Sequence, residues 1–413
     1  MSLDHRLALY GRRPDGMIPI HGGFVRPELF TPALIEFFDG HMPPDHIAAA
    51  AEPFVGITTD GTAITGLNTL ADDGFDPAPA TAAATAYLET LSEAERERAQ
   101  RPMSSPQWRM WTNAFPLPDQ DLHGIWLSEA SDRQRNAALA VIESSLSARG
   151  YQLTRNVMKL NAWLGELIGQ YLDSLTEWTY LFAIFGDPGR SEPWGWQLWG
   201  HHLNVTCVII GNQIVLTPTF MGAEPNFAAD GTRALDEERA VGFDMYDTLT
   251  PAQRTAATLH RSMRAADLPH EINGPINGRH LTGAGEDNRI VPYAGIRGDD
   301  LTPGQREALL NVAEPYVDRM PTGPRNAKLA AIKRHLDSTY FAWIGGDDPD
   351  GAYYYRVQSP VVLIEYDNHP GIFLNNDDPE PFHIHTIVRT PNGGDYGIDL
   401  LAQHYAQHDH SHH

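Results

Sequence analysis

Three similar stretches of sequence, each opening with Ser or Thr, constrain the fold of this chain more than any other feature. They begin at Ser131, Thr250 and Thr302. Ser and Thr are favoured caps at the start of a helix, two of the stretches continue with Pro at the first helical position, and apolar residues then recur at helical spacing. The stretches are unevenly spaced and separated by strand-like segments, so they predict three capped helices and not a solenoid of repeats.

Long strand-like segments lie between these helices. Residues 194–210, the pair Gly211-Asn212 and residues 213–220 have the pattern of a β-hairpin whose turn is set by the Gly-Asn pair. Residues 353–366 indicate a further long strand, which Pro360 places near a sheet edge or a bulge. The combination predicts an α+β or mixed α/β fold with a largely antiparallel sheet and several flanking helices. A doubly wound nucleotide-binding fold would need a Gly-rich phosphate turn and a regular alternation of short strands and helices.

We expect two parts in the chain. Residues 1–80 are rich in Pro, Gly and short apolar runs and predict an irregular N-terminal extension. Residues 81–413 predict a single large α+β domain that carries the histidine-rich site. Within it, residues 81–101 have helical composition, residues 325–339 indicate a further helix and residues 398–404 a short terminal helix.

The charge and the cysteine content exclude several classes of partner and site. The formal net charge of this acidic protein is −23, which repels nucleic acid and anionic membranes, so we expect neither as a partner. Cys207 is the only cysteine, which excludes a disulfide framework and a Cys-rich zinc site. The N-terminus lacks the apolar core of a signal peptide, and no segment approaches the roughly 20 apolar residues that span a bilayer. We therefore expect a soluble, cytoplasmic protein.

The segment Phe-His-Ile-His-Thr-Ile-Val-Arg at 382–389 predicts a strand, because its β-branched residues alternate along the chain. Residues two apart on a strand share a face, so His383, His385 and Arg389 should point the same way. Two neighbouring imidazoles can chelate a metal ion, although isolated pairs of this kind are also found on surfaces and in cores. His383 and His385 are therefore candidate metal ligands.

A second histidine pair, His201-His202, lies in the first strand of the predicted hairpin. Odd-numbered positions along this strand are nearly all apolar, whereas even-numbered positions include His202, Asn204 and Thr206. His202 is thus the better ligand candidate, and His201 is either a further ligand or a hydrogen-bonded histidine of the core. We predict that the two histidine clusters meet in one metal-binding cleft, although they are far apart in sequence.

If residues 353–366 form one strand, their odd-numbered positions share a face that is apolar except at its end, where Glu365 lies. An isolated buried carboxylate costs several kcal/mol, so Glu365 must be paired, metal-bound or protonated. We predict that Glu365 lies in or beside the cleft and acts as a general base. An ion pair with Arg356 or Arg389 is the alternative.

Four further residues are candidates for supporting roles. Arg389 could bind an anionic group of a substrate at the mouth of the cleft. Asp395 and Tyr396 lie in a Gly-flanked turn and could orient a histidine through hydrogen bonds. His404 could close over them. Each of these residues also has a purely structural interpretation.

The ligand types limit the choice of metal. Neutral imidazoles with one carboxylate suit transition metals and suit magnesium and calcium poorly. Zinc is the first expectation, with iron, copper or manganese as alternatives. An open coordination position on such an ion could activate water for hydrolysis or hold an oxidant.

Several short sequence motifs spread over most of the chain point to one protein family. They lie at 196–206, 217–223, 341–343, 355–365 and 383–397, and they include Gly200-His201-His202 and His383-Ile384-His385. Together they resemble the domain of unknown function 3500 family, from about residue 105 to the C-terminus. The resemblance implies a shared fold and a shared histidine-rich site, and it supplies no reaction.

Three functions are compatible with these patterns. The first is a metal-dependent enzyme, hydrolytic because of Glu365, that acts on a small anionic organic molecule. The second is a metal-dependent oxidoreductase that uses oxygen or peroxide, and the third is a non-catalytic metal- or ligand-binding protein. The sequence has no Gly-x-Ser-x-Gly elbow, Walker loop or His-Glu-x-x-His helix. Assembly into a homo-oligomer is left open.

Overall fold

The structure is a computed structural model that describes residues 18–20, 23–25, 44–113, 122–168, 173–188, 192–273, 277–371, 374 and 378–407. These ranges contain ten α-helices. They are α1 (Pro44–Ala51), α2 (Ala78–Glu89), α3 (Glu93–Ala99), α4 (Asp132–Ser145), α5 (Ala148–Ile168), α6 (Asp236–Asp247), α7 (Pro251–Ala257), α8 (Pro303–Val317), α9 (Thr322–Arg334) and α10 (Ile398–Gln407).

The same ranges contain fifteen strands. They are β1 (Ile18–Ile20), β2 (Gly23–Val25), β3 (Gln100–Arg101), β4 (Ile125–Trp126), β5 (Tyr180–Gly186), β6 (Trp194–Gly200), β7 (Leu203–Ile210), β8 (Gln213–Val215), β9 (Thr219–Ala223), β10 (Thr258–His260), β11 (Ile296–Arg297), β12 (Tyr340–Gly345), β13 (Tyr353–Gln358), β14 (Leu363–Asn368) and β15 (Ile384–Arg389). The hairpin β1–β2 and helix α1 fall in the segment expected to be irregular.

The three predicted capped helices are confirmed. Ser131, Thr250 and Thr302 cap α4, α7 and α8. In each case the hydroxyl accepts the backbone N–H of the Gln three residues later, and the Gln side chain accepts the backbone N–H of the cap. This reciprocal capping satisfies two amide groups that would otherwise lack a partner at the helix start.

One large sheet of 13 strands organises the molecule, and the predicted α+β fold is confirmed. Its main order is β10-β12-β13-β14-β15-β9-β7-β6-β5-β3, with β11, β4 and β8 attached at β12, β5 and β7. The pairings β10–β12 and β3–β5 are parallel and the other pairings of this sheet are antiparallel. Strand β15 lies in the middle, between β14 and β9.

The two faces of the sheet have different coverings. On one face, residues such as Phe182 and Trp196 join side chains of α2, α4, α5, α6 and α8 in the main hydrophobic core. On the other face, Trp199 and Ile387 pack with Trp111, which lies outside the helices and strands. His385 and Arg389 share the parity of Ile387 on β15, so they lie on this second face, which irregular segments and α10 cover.

Two segments predicted as single long strands are instead hairpins. Residues 353–366 divide into β13 and β14, which pair antiparallel, with Arg356 opposite Glu365. The turn between them contains Pro360, and the Ser359 hydroxyl accepts the backbone N–H groups of Val361 and Val362. The placement of Pro360 at an edge or a bulge was therefore wrong. The proline lies in the turn because it cannot donate a hydrogen bond to a neighbouring strand.

Residues 194–210 likewise divide into β6 and β7. Gly200 pairs with Leu203, which leaves His201 and His202 as the two turn residues. The predicted turn at Gly211-Asn212 is confirmed, because Ile210 pairs with Gln213. None of the helices in the described ranges is both long enough and apolar enough to cross a membrane.

Candidate metal centre

The turn between β6 and β7 places His202. Its backbone has a φ of 61°, in the left-handed region that non-glycine residues rarely adopt. Two hydrogen bonds hold it there: the His202 N–H donates to Asn113 Oδ1 at 3.1 Å, and the His202 carbonyl accepts the N–H of Gly222 at 2.7 Å. Backbone strain of this kind persists where the surroundings impose it, and it is concentrated at functional sites.

His383 directly precedes β15 and His385 is its second residue, and their rings lie on the same side, as predicted from the period of two. Neighbouring strand β9 carries Gly222 directly opposite His385. A Cβ atom at Gly222 would come within 2.9 Å of His385 Cδ2 and 3.1 Å of His202 Cδ2. The absence of a side chain at this position therefore makes room for two of the three imidazoles.

The structure brings His202, His383 and His385 together as a buried cluster. His383 Nε2 lies 3.3 Å from His202 Nε2 and 3.1 Å from His385 Nε2. All three residues offer nitrogens within 4.8 Å of one another. A tetrahedral ion with bonds of about 2.0–2.1 Å holds its ligand atoms about 3.3 Å apart, so the spacing fits a metal site.

The protonation of the cluster also favours a metal. The Nδ1 of His383 lies 2.9 Å from the carbonyl of Pro370, which can only accept, so this nitrogen carries the proton and Nε2 is left with a lone pair. Burial lowers the pKa of all three imidazoles well below the ordinary value. The Nε2 lone pair of His383 can accept an N–H from the Nε2 of His385, 3.1 Å away, or both Nε2 atoms can bind one metal ion.

Two further side chains border the cluster and were not predicted. The His369 ring stacks on His385 at a centroid distance of 4.5 Å and lies 5.0 Å from the ring of His383. Glu224 Oε1 lies 3.7 Å from His383 Nδ1 and accepts the N–H of Leu374. The Pro370 carbonyl orients the His383 ring, and the carboxylate of Glu224 adds negative charge beside it.

A sequence signal for His369 existed in the register of the sheet. Asp367 of β14 pairs directly with His385 of β15. His369 follows Asp367 by two residues, and its Nδ1 lies 3.3 Å from Asp367 Oδ2. Had the pairing of these two strands been known, the period of two would have placed His369 beside the predicted histidines.

Of the two roles that the sequence left open for His201, its contacts fit that of a hydrogen-bonded histidine of the core. Its Nδ1 lies 2.8 Å from Asn161 Oδ1 on α5, and its ring stacks on His202 at 3.9 Å. Burial lowers the pKa of His201 to about 3, so the ring is neutral. His201 lies outside the group of converging nitrogens and supports the ring of His202 from behind.

Glu365 does not have the geometry predicted for a general base. Its carboxylate accepts the backbone N–H groups of Leu281 and Thr282 and the hydroxyls of Thr282 and Tyr354, all within 2.9 Å. The parity argument failed because the chain turns at residues 359–362, which moves Glu365 off the apolar face of Tyr355. Four donors hold this carboxylate, and it fixes the loop at 281–282 to the sheet.

Arg389 is fully buried and does not lie at the mouth of a cleft. Its guanidinium donates to the carbonyls of Thr282 and Gly283 and to the carboxylates of Asp287 and Asp395. These partners take up the hydrogen-bond donors of the guanidinium. The surroundings of Arg389 therefore do not support the prediction that it binds a substrate anion.

The other predicted supporting residues also lie elsewhere. The Asp395 carboxylate accepts Arg389 and the backbone N–H of Thr390, and the Tyr396 hydroxyl donates to Asp287. His404 lies on α10, where its Nε2 is 3.8 Å from the carboxylate of Glu192. Asp395 and Tyr396 thus belong to the buried ion network around Arg389, and none of these contacts of Asp395, Tyr396 and His404 reaches the three clustered histidines.

Comparison with protein families gave one result. The family described as Protein of unknown function (DUF3500) matches residues 76–398. Comparisons with curated proteins and with solved structures gave no match. The family match begins upstream of the resemblance noted in the sequence and includes all three histidines of the cluster. Because the family match covers most of the chain, this protein belongs to the family of unknown function DUF3500.

Proposed function

We propose that this protein binds a divalent transition metal, zinc in the first instance, at His202, His383 and His385, and hydrolyses a small organic substrate there. The observation that carries the proposal is the convergence of three buried nitrogens, with the Nε2 atoms of His383 and His385 at 3.1 Å. The nitrogens come from two elements of a rigid sheet, which favours a fixed geometry over a chance encounter of flexible side chains.

The donor set supports hydrolysis over simple storage of an ion. Three protein ligands leave a tetrahedral ion with one open position, whereas structural zinc sites use four. Neutral imidazoles also leave the charge of the ion uncompensated. Bound at such a site, the ion would supply Lewis acidity and lower the pKa of a water molecule to about 7.

His369 replaces Glu365 as the side chain proposed to accept a proton. Its Nδ1 faces Asp367, and a carboxylate is an acceptor, so Nδ1 carries the proton and Nε2 is the basic atom. The His369 ring lies against two of the three ligands, so a proton acceptor stands beside the cluster. The substrate is proposed as a small organic ester; the case for an anionic substrate rested on Arg389 and has lost that support.

Metal content tests the first half of the proposal. The C-terminal tail is rich in histidine and could itself bind metal, so we define a tail-substituted chain in which His408, His410, His412 and His413 are replaced by Ala. We expect this chain to retain one ion, measured by elemental analysis, and the variants His383→Gln and His385→Asn in the same background to lose it.

His123→Gln is the matched control. His123 is also buried and bonded to a side chain, Gln197, but lies outside the cluster. We expect this variant to keep the ion. A tail-substituted chain without metal, or a His385→Asn variant that binds as tightly as its parent, would overturn the proposed site.

Activity tests the second half. The metal-loaded and the chelated tail-substituted chains should be screened against small carboxylate esters, and against phenols with oxygen or peroxide present. We expect ester hydrolysis that requires the metal and falls strongly in His369→Asn without loss of bound metal. Turnover only with an oxidant would replace the hydrolase by an oxidoreductase, and bound metal without turnover would leave a binding protein.

A further inference from the structure

A cavity of about 270 Å³ lies away from the histidine cluster, between α9, the segment around β8 and the start of α10. Its wall on α9 consists of Ala327, Ala331 and neighbouring residues one helical turn apart, including Lys328 and Arg334. The alanines are short, and this opens the space. Leu216 and Met320 add apolar surface, so the cavity suits a small organic molecule.

The amine of Lys328 belongs to the wall of this cavity. Its Nζ donates to the carbonyl of Val361 at 2.9 Å and to the hydroxyl of Thr390 at 3.0 Å. Both acceptors are uncharged. Two fixed hydrogen bonds hold the nitrogen in place, and an ammonium group has a third N–H to offer.

Lysine is a rare residue in this chain. Lys159, Lys328 and Lys333 are its only lysines, and the other 27 of its 30 Lys and Arg residues are arginine. Arginine keeps its proton in proteins, whereas a lysine that loses water contacts can become a neutral amine. The cavity wall thus holds one of the three lysines of this chain, and lysine is the side chain that forms imines with carbonyl compounds.

The surroundings favour the neutral amine. Burial lowers the pKa of Lys328 to about 8, although the charges of Asp395 and Asp399 oppose the shift. Asp73, Asp399 and Arg334 are the other charged groups lining the cavity. The two carboxylates disfavour an anionic ligand, whereas an uncharged carbonyl compound meets no such penalty.

We propose that this cavity binds a small aldehyde or ketone and that Lys328 forms an imine with it. The amine nitrogen adds to the carbonyl carbon, and the carbonyl oxygen leaves as water with the two protons of the neutral amine. The step consumes no oxidant or reductant. This site is separate from the metal centre and does not depend on the hydrolase proposal.

Reductive trapping tests the proposal. The full chain is incubated at pH 7 with propanal and sodium cyanoborohydride, and the labelling rate of each lysine is followed by peptide mass spectrometry. Lys159 and Lys333 are exposed and serve as internal references. With its pKa near 8, Lys328 has a neutral fraction at pH 7 on the order of a hundredfold larger than that of an ordinary lysine side chain. We expect labelling of Lys328 at least tenfold faster than of the references, with or without a chelator of metals.

Two further measurements separate a binding site from a merely reactive amine. The labelling rate of Lys328 should saturate with propanal concentration, whereas the rates of Lys159 and Lys333 should rise linearly. An aldehyde-bearing polymer such as oxidised dextran should show no preference for Lys328, because it cannot enter a cavity of about 270 Å³. Lys333→Arg should leave the pattern unchanged. Labelling of Lys328 no faster than the references, or without saturation, would overturn the proposal.

Discussion

Arg389 shows how much a polar residue on a buried strand depends on partners that are distant in sequence. Its guanidinium lies between Asp287 and Asp395, and Asp287 also accepts Arg109. A buried charge without such partners costs several kcal/mol, and the two carboxylates offset that cost for Arg389. The sequence predicted that Arg389 shares a face with His385, but it could not distinguish a substrate-binding arginine from the centre of an ion network.

Asp395 in this network should make stability depend on pH. Burial raises the pKa of Asp395 to about 6, against the opposing charge of Arg389. The folded state therefore binds this proton more tightly than the unfolded state does. The protonated carboxyl adds stability at low pH, and that contribution is lost as the pH rises through 6. Between pH 4.5 and 7 the loss amounts to about 2 kcal/mol.

Urea unfolding at several pH values checks this prediction. Asp395→Asn should lack the loss of stability that Asp395 causes in the wild type between pH 4.5 and 7. Asp350→Asn, at an exposed position, should behave as the wild type does. Parallel stability profiles for Asp395→Asn and the wild type would show that the carboxyl does not titrate in this range.

At the scale of elements, the turn between β6 and β7 decides where the third candidate ligand, His202, lies. His201 and His202 form a two-residue turn without the Gly or Asn that usually marks one, so the sequence indicated a continuous strand. His202 was selected by its parity on that strand, and this reason was wrong. The turn at Gly211-Asn212 carried the usual signal and was predicted correctly. The capped helices were predictable for the same reason, because their signals are local.

The strained backbone of His202 yields a test with a matched pair of variants. Both His202→Asn and His202→Val remove the metal ligand. Asn tolerates the left-handed conformation, whereas a β-branched residue does not, and the penalty is about 1–2 kcal/mol. We expect His202→Val to be less stable than His202→Asn by this amount in urea unfolding with a chelator present. Equal stabilities would mean that the turn relaxes when the imidazole is removed.

At the scale of the whole molecule, the candidate centre joins parts of the chain that no local pattern connects. His202 and His383 are 181 positions apart, and strand β9 lies between their elements in the sheet. Alternation along one strand predicts which side chains share a face, but the order of strands depends on contacts across the entire sheet. His369 and Glu224 could not be placed without the order and register of the strands, whereas His383 and His385 could be predicted from their spacing.

Because the centre joins β15 to the β6–β7 hairpin, metal binding should stabilise the whole fold. An ion that binds only the folded state adds about 2.7 kcal/mol at a free concentration one hundred times its Kd. We expect zinc to raise the thermal unfolding midpoint of the tail-substituted chain by a few degrees, and a chelator to reverse the shift.

The control variant His123→Gln should respond to zinc in the same way. His385→Asn should show no shift, because two imidazoles bind the ion too weakly to matter at that concentration. If His385→Asn responds as strongly as its parent, the stabilising ion binds elsewhere and the three histidines are not the metal centre.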